Sequence, residues 1–334
     1  MEMWVYIVRR VLLAIFVVIG MITITFFLTH VVPSDPAQLY VGPKATAEEL
    51  EHAREVLGLN KPLYIQYLDY MRNVFKGDWG VSLRTKNPVL DEIFHYLPHT
   101  LELIIFGYII ALIVGVSLGI LSAVYKDSVI DNIIRFIAIG EVSIPSFAFA
   151  IILQLIFYRQ LGILPLQGRT SFLEIPQITG FLLIDSLLVG DFNLFLDALK
   201  HLILPGLAVA SYPIGLITRM LRATMIVVLN MDYIKFAKAC GLPKNIILKY
   251  ATKNAFIPVL TVFALSFAYS LAGAVLIEII FAWPGIGTYA LTAIQNMDYP
   301  VVIGIVVLVS IFYVSINLVV DILQAYLDPR VRLG

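Results

Sequence analysis

Charge is what this sequence has least of. Only 14% of its 334 residues are Asp, Glu, Lys or Arg, against roughly 25% in soluble domains. It has a single cysteine, Cys240, which excludes an intramolecular disulfide and any multi-cysteine metal site. It has no G-x-x-x-x-G-K-[ST] phosphate loop, no H-E-x-x-H and no G-x-S-x-G. ATP held in that cradle, zinc peptidase chemistry and serine-hydrolase chemistry are therefore not expected. Net charge is zero and no basic–aromatic alternation marks a nucleic-acid surface. His95 and His99 are four apart with Pro98 between them, and Asp185, Asp191 and Asp197 read as a solvated face rather than a metal cluster. The chain reads as a scaffold that binds no cofactor or metal of its own and catalyses no reaction.

Apolar residues are what it has in excess: 60% of the chain, with a mean hydropathy of +0.91. A spanning helix needs about 20 mostly apolar residues. Stretches of that kind fall near 10–29, 101–124, 133–157, 202–229, 255–280 and 301–323. The expected fold is an all-α membrane protein with about six transmembrane helices. A shorter stretch, Ile178–Val189, includes Asp185 and reads as an interfacial or re-entrant piece. The first stretch exceeds a usual signal-peptide core and lacks an A-x-A-like site after it, so it reads as a retained first helix.

Lys and Arg mark the cytoplasmic side of short loops. With the N-terminus inside, 13 of the 23 basic residues fall inside, among them Arg9, Arg10, Lys126, Arg219, Arg222 and Lys235. Both termini are then cytoplasmic. The chain divides into an N-terminal segment with helix 1 (1–30), an external helical cap (31–99) and a membrane core (100–334). Within the core lie an external segment at about 159–200 and a cytoplasmic loop at about 230–254. In the cap, Thr46 and Glu49 have capping-box spacing. The helix they open should stop at Gly58, and a second should run from Asn60-Lys61-Pro62 through Tyr64, Tyr67, Leu68 and Met71.

Charges at membrane depth are costly and often functional. Glu141, beside Ser143-Ile144-Pro145-Ser146, and Glu278 are such charges. Each either lines a polar pathway or makes an internal hydrogen bond between helices. Pro145 should kink its helix. Glu102 and Asp321 sit near helix ends and read as reaching the interface. Gly115, Gly119 and Ser122 recur at about one turn and suit close helix packing.

Between the fourth and fifth stretches lies a basic island, Asp232–Pro258, with Lys235, Lys238, Lys244, Lys249 and Lys253. Asp232 can cap a helix start, Ala237 and Ala239 permit a close approach, Gly241 can turn the chain, and Pro243 suits a first helical turn. The expected product is a helix–turn–helix lying across the membrane face. It would serve either as a docking element for a cytoplasmic partner or as an amphipathic loop on anionic lipid.

The residues also carry a resemblance. Ala237-Lys238-Ala239-Cys240-Gly241-Leu242, with Asn254-Ala255 and Pro258, resembles the cytoplasmic EAA loop of binding-protein-dependent ABC transporter permeases, in its dipeptide/oligopeptide branch. Pro33-Ser34-Asp35-Pro36, Leu57-Gly58-Leu59 with Pro62 and Gln66-Tyr67, and Gly77-Asp78-Trp79-Gly80 with Ser82 are similar to that branch's motifs. So are Ser143-Ile144-Pro145-Ser146-Phe147, Glu278 with Phe281 through Gly287, and Asp328-Pro329-Arg330-Val331-Arg332. The match runs through nearly the whole chain in order. Lys235-Phe236-Ala237 departs from it by replacing the triplet's Glu and first Ala, and the 159–200 segment looks expanded.

The resemblance implies a permease subunit of an ATP-driven importer in the inner membrane of a bacterium or archaeon. Its partners would be a second related permease (a heterodimer), two ATPase subunits carrying ATP and magnesium, an external solute-binding protein and membrane lipid, with no nucleic acid. Asp232, Tyr233, Ala237, Lys238, Ala239, Gly241 and Leu242 would couple to the ATPases. Glu141, Ser143, Ser146 and Glu278 would lie on the translocation pathway, and Trp283, Pro284 and Gly285 in an external loop. Similar branches carry di- and oligopeptides, nickel, glutathione or oligosaccharides. The rival readings are a stand-alone secondary transporter or channel, which often shows internal repeats not evident here, and a membrane-embedded enzyme.

Overall fold

The protein is known from a computed structural model that describes residues 3–31, 36–41, 45–56 and 58–327. Pro33-Ser34-Asp35, Leu57 and the terminal Asp328–Arg332 motif lie outside the described residues. The order is α1 (Met3–Val31), α2 (Pro36–Val41), α3 (Ala47–Val56), α4 (Leu63–Phe75), α5 (Val89–Val124), α6 (Val129–Ser143) and α7 (Ser146–Leu153), which runs on as a π-helix over Gln154–Gln160. Then follow α8 (Leu182–Val189), α9 (Phe192–Leu229), α10 (Asp232–Ala239), α11 (Lys244–Ile280), α12 (Ile286–Gln295) and α13 (Tyr299–Leu327). Among the described residues no strand forms beyond one isolated bridge, Val81 to Pro88.

Five described helices, α1, α5, α9, α11 and α13, are long and apolar enough to cross a membrane. The chain is a multi-pass, all-α membrane protein. The stretch 133–157, expected as one span, is broken: α6 and the α7 segment meet at 108°. Sterics explain the break. A residue before proline is pushed out of the helical region, and Ile144 sits at φ −86°, ψ 123° with Pro145 at φ −57°, ψ 135°. Two consecutive extended residues turn a kink into a corner.

The core is built on α5 against α9. A Cβ added at Gly107, Gly115 or Gly119 would fall 2.8, 2.9 and 2.9 Å from Val209, Ile217 and Leu221 respectively. Small residues therefore let the two helix backbones approach. Near the α10 end of this pair, Arg222 grips Asp131 with two hydrogen bonds, Nε to Oδ1 at 2.7 Å and a terminal nitrogen to Oδ2 at 2.6 Å. Ser122 and the Asp127 amide donate to the same carboxylate. Arg222, expected as one of the inside charges, is thus committed to an ion pair whose acid is fully buried. Arg10 meets Asp321 at 3.0 Å, so the first and last spans share that same end of the bundle.

At the opposite end the polar residues are built in rather than solvated. Glu102 does not reach an interface: it is buried, pairs with buried Arg169 at 2.6 Å and accepts the Leu183 amide. The three aspartates are likewise structural. Asp185 is fully buried and accepts from the amides of Ile178, Thr179 and Gly180 and from the Thr179 hydroxyl. Burial alone would raise its carboxyl, but the Thr179 hydroxyl and these amides outweigh it and hold the group below its ordinary range. Asp191 caps α9 through the amides of Asn193 and Leu194, and Asp197 holds Thr170 and Ser171. The 159–200 segment is therefore a folded lid over α5 and α9.

In the cap, the Thr46–Glu49 capping box forms as expected: the Thr46 amide donates to Glu49 at 2.7 Å and the Glu49 amide to Thr46 at 3.3 Å. Gly58 takes φ +68°, and α4 follows. Tyr67 shares a 2.7 Å hydrogen bond with Thr23 and packs on Phe26 and Phe27, so α4 lies along the C-terminal part of α1. The Gly77-Asp78-Trp79-Gly80-x-Ser82 segment docks on the start of α13, where Asp298 accepts the Ser82 hydroxyl at 2.6 Å and the Leu83 amide at 3.0 Å.

Candidate functional site

Three constructions carry the residues singled out in the sequence: a capped corner, a central groove and a short basic helix.

The corner is centred on Glu278, at the end of α11. Its side chain is fully enclosed. Oε1 accepts the Thr100 hydroxyl at 2.6 Å, and Oε2 accepts the amides of Gly287 at 2.7 Å and Thr288 at 3.1 Å. The first-turn amides of a helix lack intrahelical partners, so Glu278 satisfies α12 from a neighbouring helix. Of its two sequence readings, the internal hydrogen bond between helices is what forms. Gly285 opens α12 because nothing larger fits: a Cβ there would lie 2.3 Å from Glu278 Oε1. Trp283, expected in an external loop, is buried and donates its indole N–H to the His99 carbonyl at 2.9 Å. The Pro284 carbonyl meets His99 Nδ1 at 2.7 Å. These residues lock α5, α11 and α12 together.

The groove runs between α7, α9 and α11 and encloses about 490 Å³. Ser146, Tyr212, Leu216, Ser266, Tyr269 and Ser270 line it. Of the four predicted pathway residues, Ser146 is in the wall. Ser143 is exposed and donates back to the Ile139 carbonyl. Glu141 is half-buried beside α9, and its Oε2 has no hydrogen-bond partner. Tyr212, Tyr269, Ser266 and Ser270 were not read from the sequence. Their signal was present: Ser266, Ser270, Gly273 and Ile277 follow a helical i, i+4, i+7, i+11 stripe inside an apolar run.

The short helix α10 has a simple anchoring logic. Ile234 is its one buried residue and inserts among Met225, Val228, Ile247 and Ala251 of α9 and α11. Ala237, one turn on, packs half-buried against the same cluster, so it serves the anchor rather than a close partner approach. Everything else points outward: Asp232, Tyr233, Lys235, Phe236, Lys238, Ala239 and, past the turn, Leu242. Phe236 is 71% exposed, with Lys235 beside it and Lys238 two positions on.

Two local expectations are corrected. Asp232 does not cap the helix: Met231 holds the cap position, and Asp232 pairs with Lys235 at 2.9 Å. The second half of the island does not lie across the membrane face. From Lys244 it is already the spanning helix α11, which at 37 residues is about 55 Å long against a hydrocarbon core of about 30 Å. Its first turns therefore project past the apolar layer. The link is a tight elbow: Gly241 takes φ +74° and Pro243 caps α11. Tyr233 accepts from the Asn254 side chain at 2.9 Å and braces the elbow.

A Cβ at Gly241 would touch nothing within 4 Å, so only its backbone angle constrains it. We expect Gly241→Asn to be tolerated and Gly241→Val to strain the elbow by about 1–2 kcal/mol. The check is thermal unfolding of the purified protein followed by proteolysis of the 240–243 turn. A Val variant as stable and as resistant as the Asn variant would show that the elbow does not need the left-handed conformation.

Comparison with known proteins bears on the whole chain. Residues 115–333 match the family described as binding-protein-dependent transport system inner membrane component, and residues 3–104 match its N-terminal region. The chain is 44% identical to the dipeptide transport system permease protein DppB of Alkalihalophilus pseudofirmus, over 98% of this chain and 99% of that one. It is 40% identical to the di/tripeptide transport system permease protein DppB of Pseudomonas aeruginosa, over 98% of each. It is 38% identical to the dipeptide transport system permease protein DppB of Escherichia coli, again over 98% of each.

Proposed function

The chain belongs to the family of binding-protein-dependent transport system inner membrane components, and from that premise we propose that it forms half of the translocation pore of an ATP-driven peptide importer. Relatives named for dipeptides and di/tripeptides match it end to end, which supports small peptides as the solute. The other half of the pore is a related permease, and the groove wall of α9 and α11 is the face turned toward it. Ser146, with Glu141 and Ser143 nearby, belongs to the pathway.

The observation that carries the coupling assignment is α10. It is held by Ile234 and displays Phe236 between Lys235 and Lys238. Aromatic residues, Phe among them, are enriched in protein–protein interfaces, and lysines suit the rim around one. We assign α10 as the element that seats on a cytoplasmic ATPase, with Tyr233, Lys238, Ala239, Gly241 and Leu242 around that contact and Asp232 paired to Lys235. ATP and magnesium then reside on two ATPase subunits, a solute-binding protein delivers the peptide from outside, and both termini are cytoplasmic. The buried corner at Trp283, Pro284 and Gly285 forms the opposite, outer end.

Transport demands no chemistry on the solute. The ATPases supply a bistable drive, and the permease alternates its access as they close. The same aromatic and lysines also suit anionic lipid, the arrangement of a stand-alone transporter. Expression together with the neighbouring ATPase and permease genes separates the two. Recovery of a complex holding both permeases and both ATPases in detergent is expected. A chain that purifies alone and moves peptide without ATP would refute the proposal.

A further inference from the structure

Two charged side chains beside the groove are uncommitted. Glu141 Oε2 is buried with no hydrogen-bond partner. Arg219 is exposed and has no ion pair or hydrogen bond among the described residues. Their neighbours differ: Asp131 and Arg222 neutralise one another, and Glu278 is consumed by α12. Arg135 is exposed on α6, but six residues before Glu141 it sits about 120° around the helix from it.

Packing brings the two groups to one place. α6 crosses α9 at Gly215, where a Cβ would lie 2.7 Å from the Ala138 carbonyl and 3.5 Å from Glu141 Cβ. Arg219 begins the next turn of α9, about 6 Å along its axis. Tyr212 and Leu216 line the groove, and Arg219 continues their i, i+4, i+7 stripe. One acid and one base therefore lie at the α6–α9 crossing, about one helical turn apart and next to the groove residues Tyr212 and Leu216.

A free dipeptide is a zwitterion whose two residues span at most roughly 7 Å when extended. A buried carboxylate oxygen without a partner is costly, and an exposed guanidinium one turn away is free to take an anion. We propose that Glu141 and Arg219 form a two-ended site for the transported peptide, the Glu141 carboxylate taking its α-ammonium and the Arg219 guanidinium its terminal carboxylate. This rests on the peptide-permease reading above and adds how the solute is held.

The test uses the full importer in proteoliposomes, with radiolabelled dialanine as solute. Uptake and ATP hydrolysis stimulated by the loaded binding protein are measured together. Glu141→Gln and Arg219→Gln should each lower uptake about tenfold, as expected for losing one charged hydrogen bond, while stimulated ATP hydrolysis stays near wild type. Arg219→Lys, which keeps the charge, should recover most of the uptake; a Lys variant as poor as the Gln variant overturns the site. Unchanged uptake in both Gln variants, with an active wild type, also overturns it and leaves the permease reading standing. A wild-type importer that moves no dialanine removes the premise, and the site with it. Co-elution of each variant with its partners on size exclusion separates a lost site from a lost fold: uptake lost only together with assembly overturns the proposal.

Discussion

Phe236→Asp should abolish ATP-driven uptake, lowering it at least a hundredfold, in a protein that still folds. The side chain is 71% exposed and makes no contribution to the Ile234 cluster, so removing it costs the isolated permease almost nothing. Its value lies in what covers it. Interface anchors of this kind carry about 2–4 kcal/mol when truncated, and each 1.4 kcal/mol is about tenfold in binding. An aspartate also removes the ring's apolar area and puts a strongly hydrated carboxylate where a partner would have to desolvate it. The measurements are co-purification with the ATPase subunits and uptake in vesicles. A variant that keeps both would place the coupling contact elsewhere. Ile234→Asp offers a contrast: it should unseat α10 from α9 and α11 and so lower the stability of the permease itself.

Glu278→Ala has the opposite signature and the largest expected effect on stability. It strips the acceptor from the buried Thr100 hydroxyl and Gly287 amide and from the half-buried Thr288 amide. Each stranded donor costs about 1–3 kcal/mol, so the loss is on the order of several kcal/mol. Since whole domains hold about 5–15 kcal/mol, little assembled protein should survive in detergent at 37 °C. Glu278→Gln preserves shape and can keep its oxygen on the amides of Gly287 and Thr288, but it turns the acceptor of the Thr100 hydroxyl into a donor, so it should rescue only part of the loss. Yield of monodisperse protein and its thermal midpoint are the readouts. An alanine variant of wild-type stability would mean the α12 amides find another acceptor.

The two variants also show which layer of the molecule could be read from its residues. The spans were legible because apolar length is a strong signal, and α1, α5, α9, α11 and α13 each contain a predicted stretch. The capping box and Gly58 were legible because their signals are local. The corner at Ile144–Pro145 was underestimated: proline announces a kink, but its size depends on whether the residue before it leaves the helix too. Partnerships across the chain were not legible. Nothing near Glu102 announces Arg169, 67 positions away, and nothing near Glu278 announces Thr100, 178 positions away. Glu102, Asp185 and Glu278 are acids that folding had already used, whereas Glu141 is not. In the basic island, composition gave the wrong architecture, because a lysine-bearing segment can be the protruding foot of a spanning helix as easily as a separate one.

That foot gives α11 a mechanical character. Pro258 lies within the helix and, lacking an N–H, leaves the Asn254 carbonyl unbonded by the ladder. It divides α11 into a lower arm of roughly 21 Å, which ends at the Gly241 elbow, and an upper arm of roughly 33 Å, which ends at the Glu278 cap. A missing rung makes the proline the place where α11 bends most easily, so the arm that carries the Gly241 elbow can tilt while the arm that ends at Glu278 stays locked to α12.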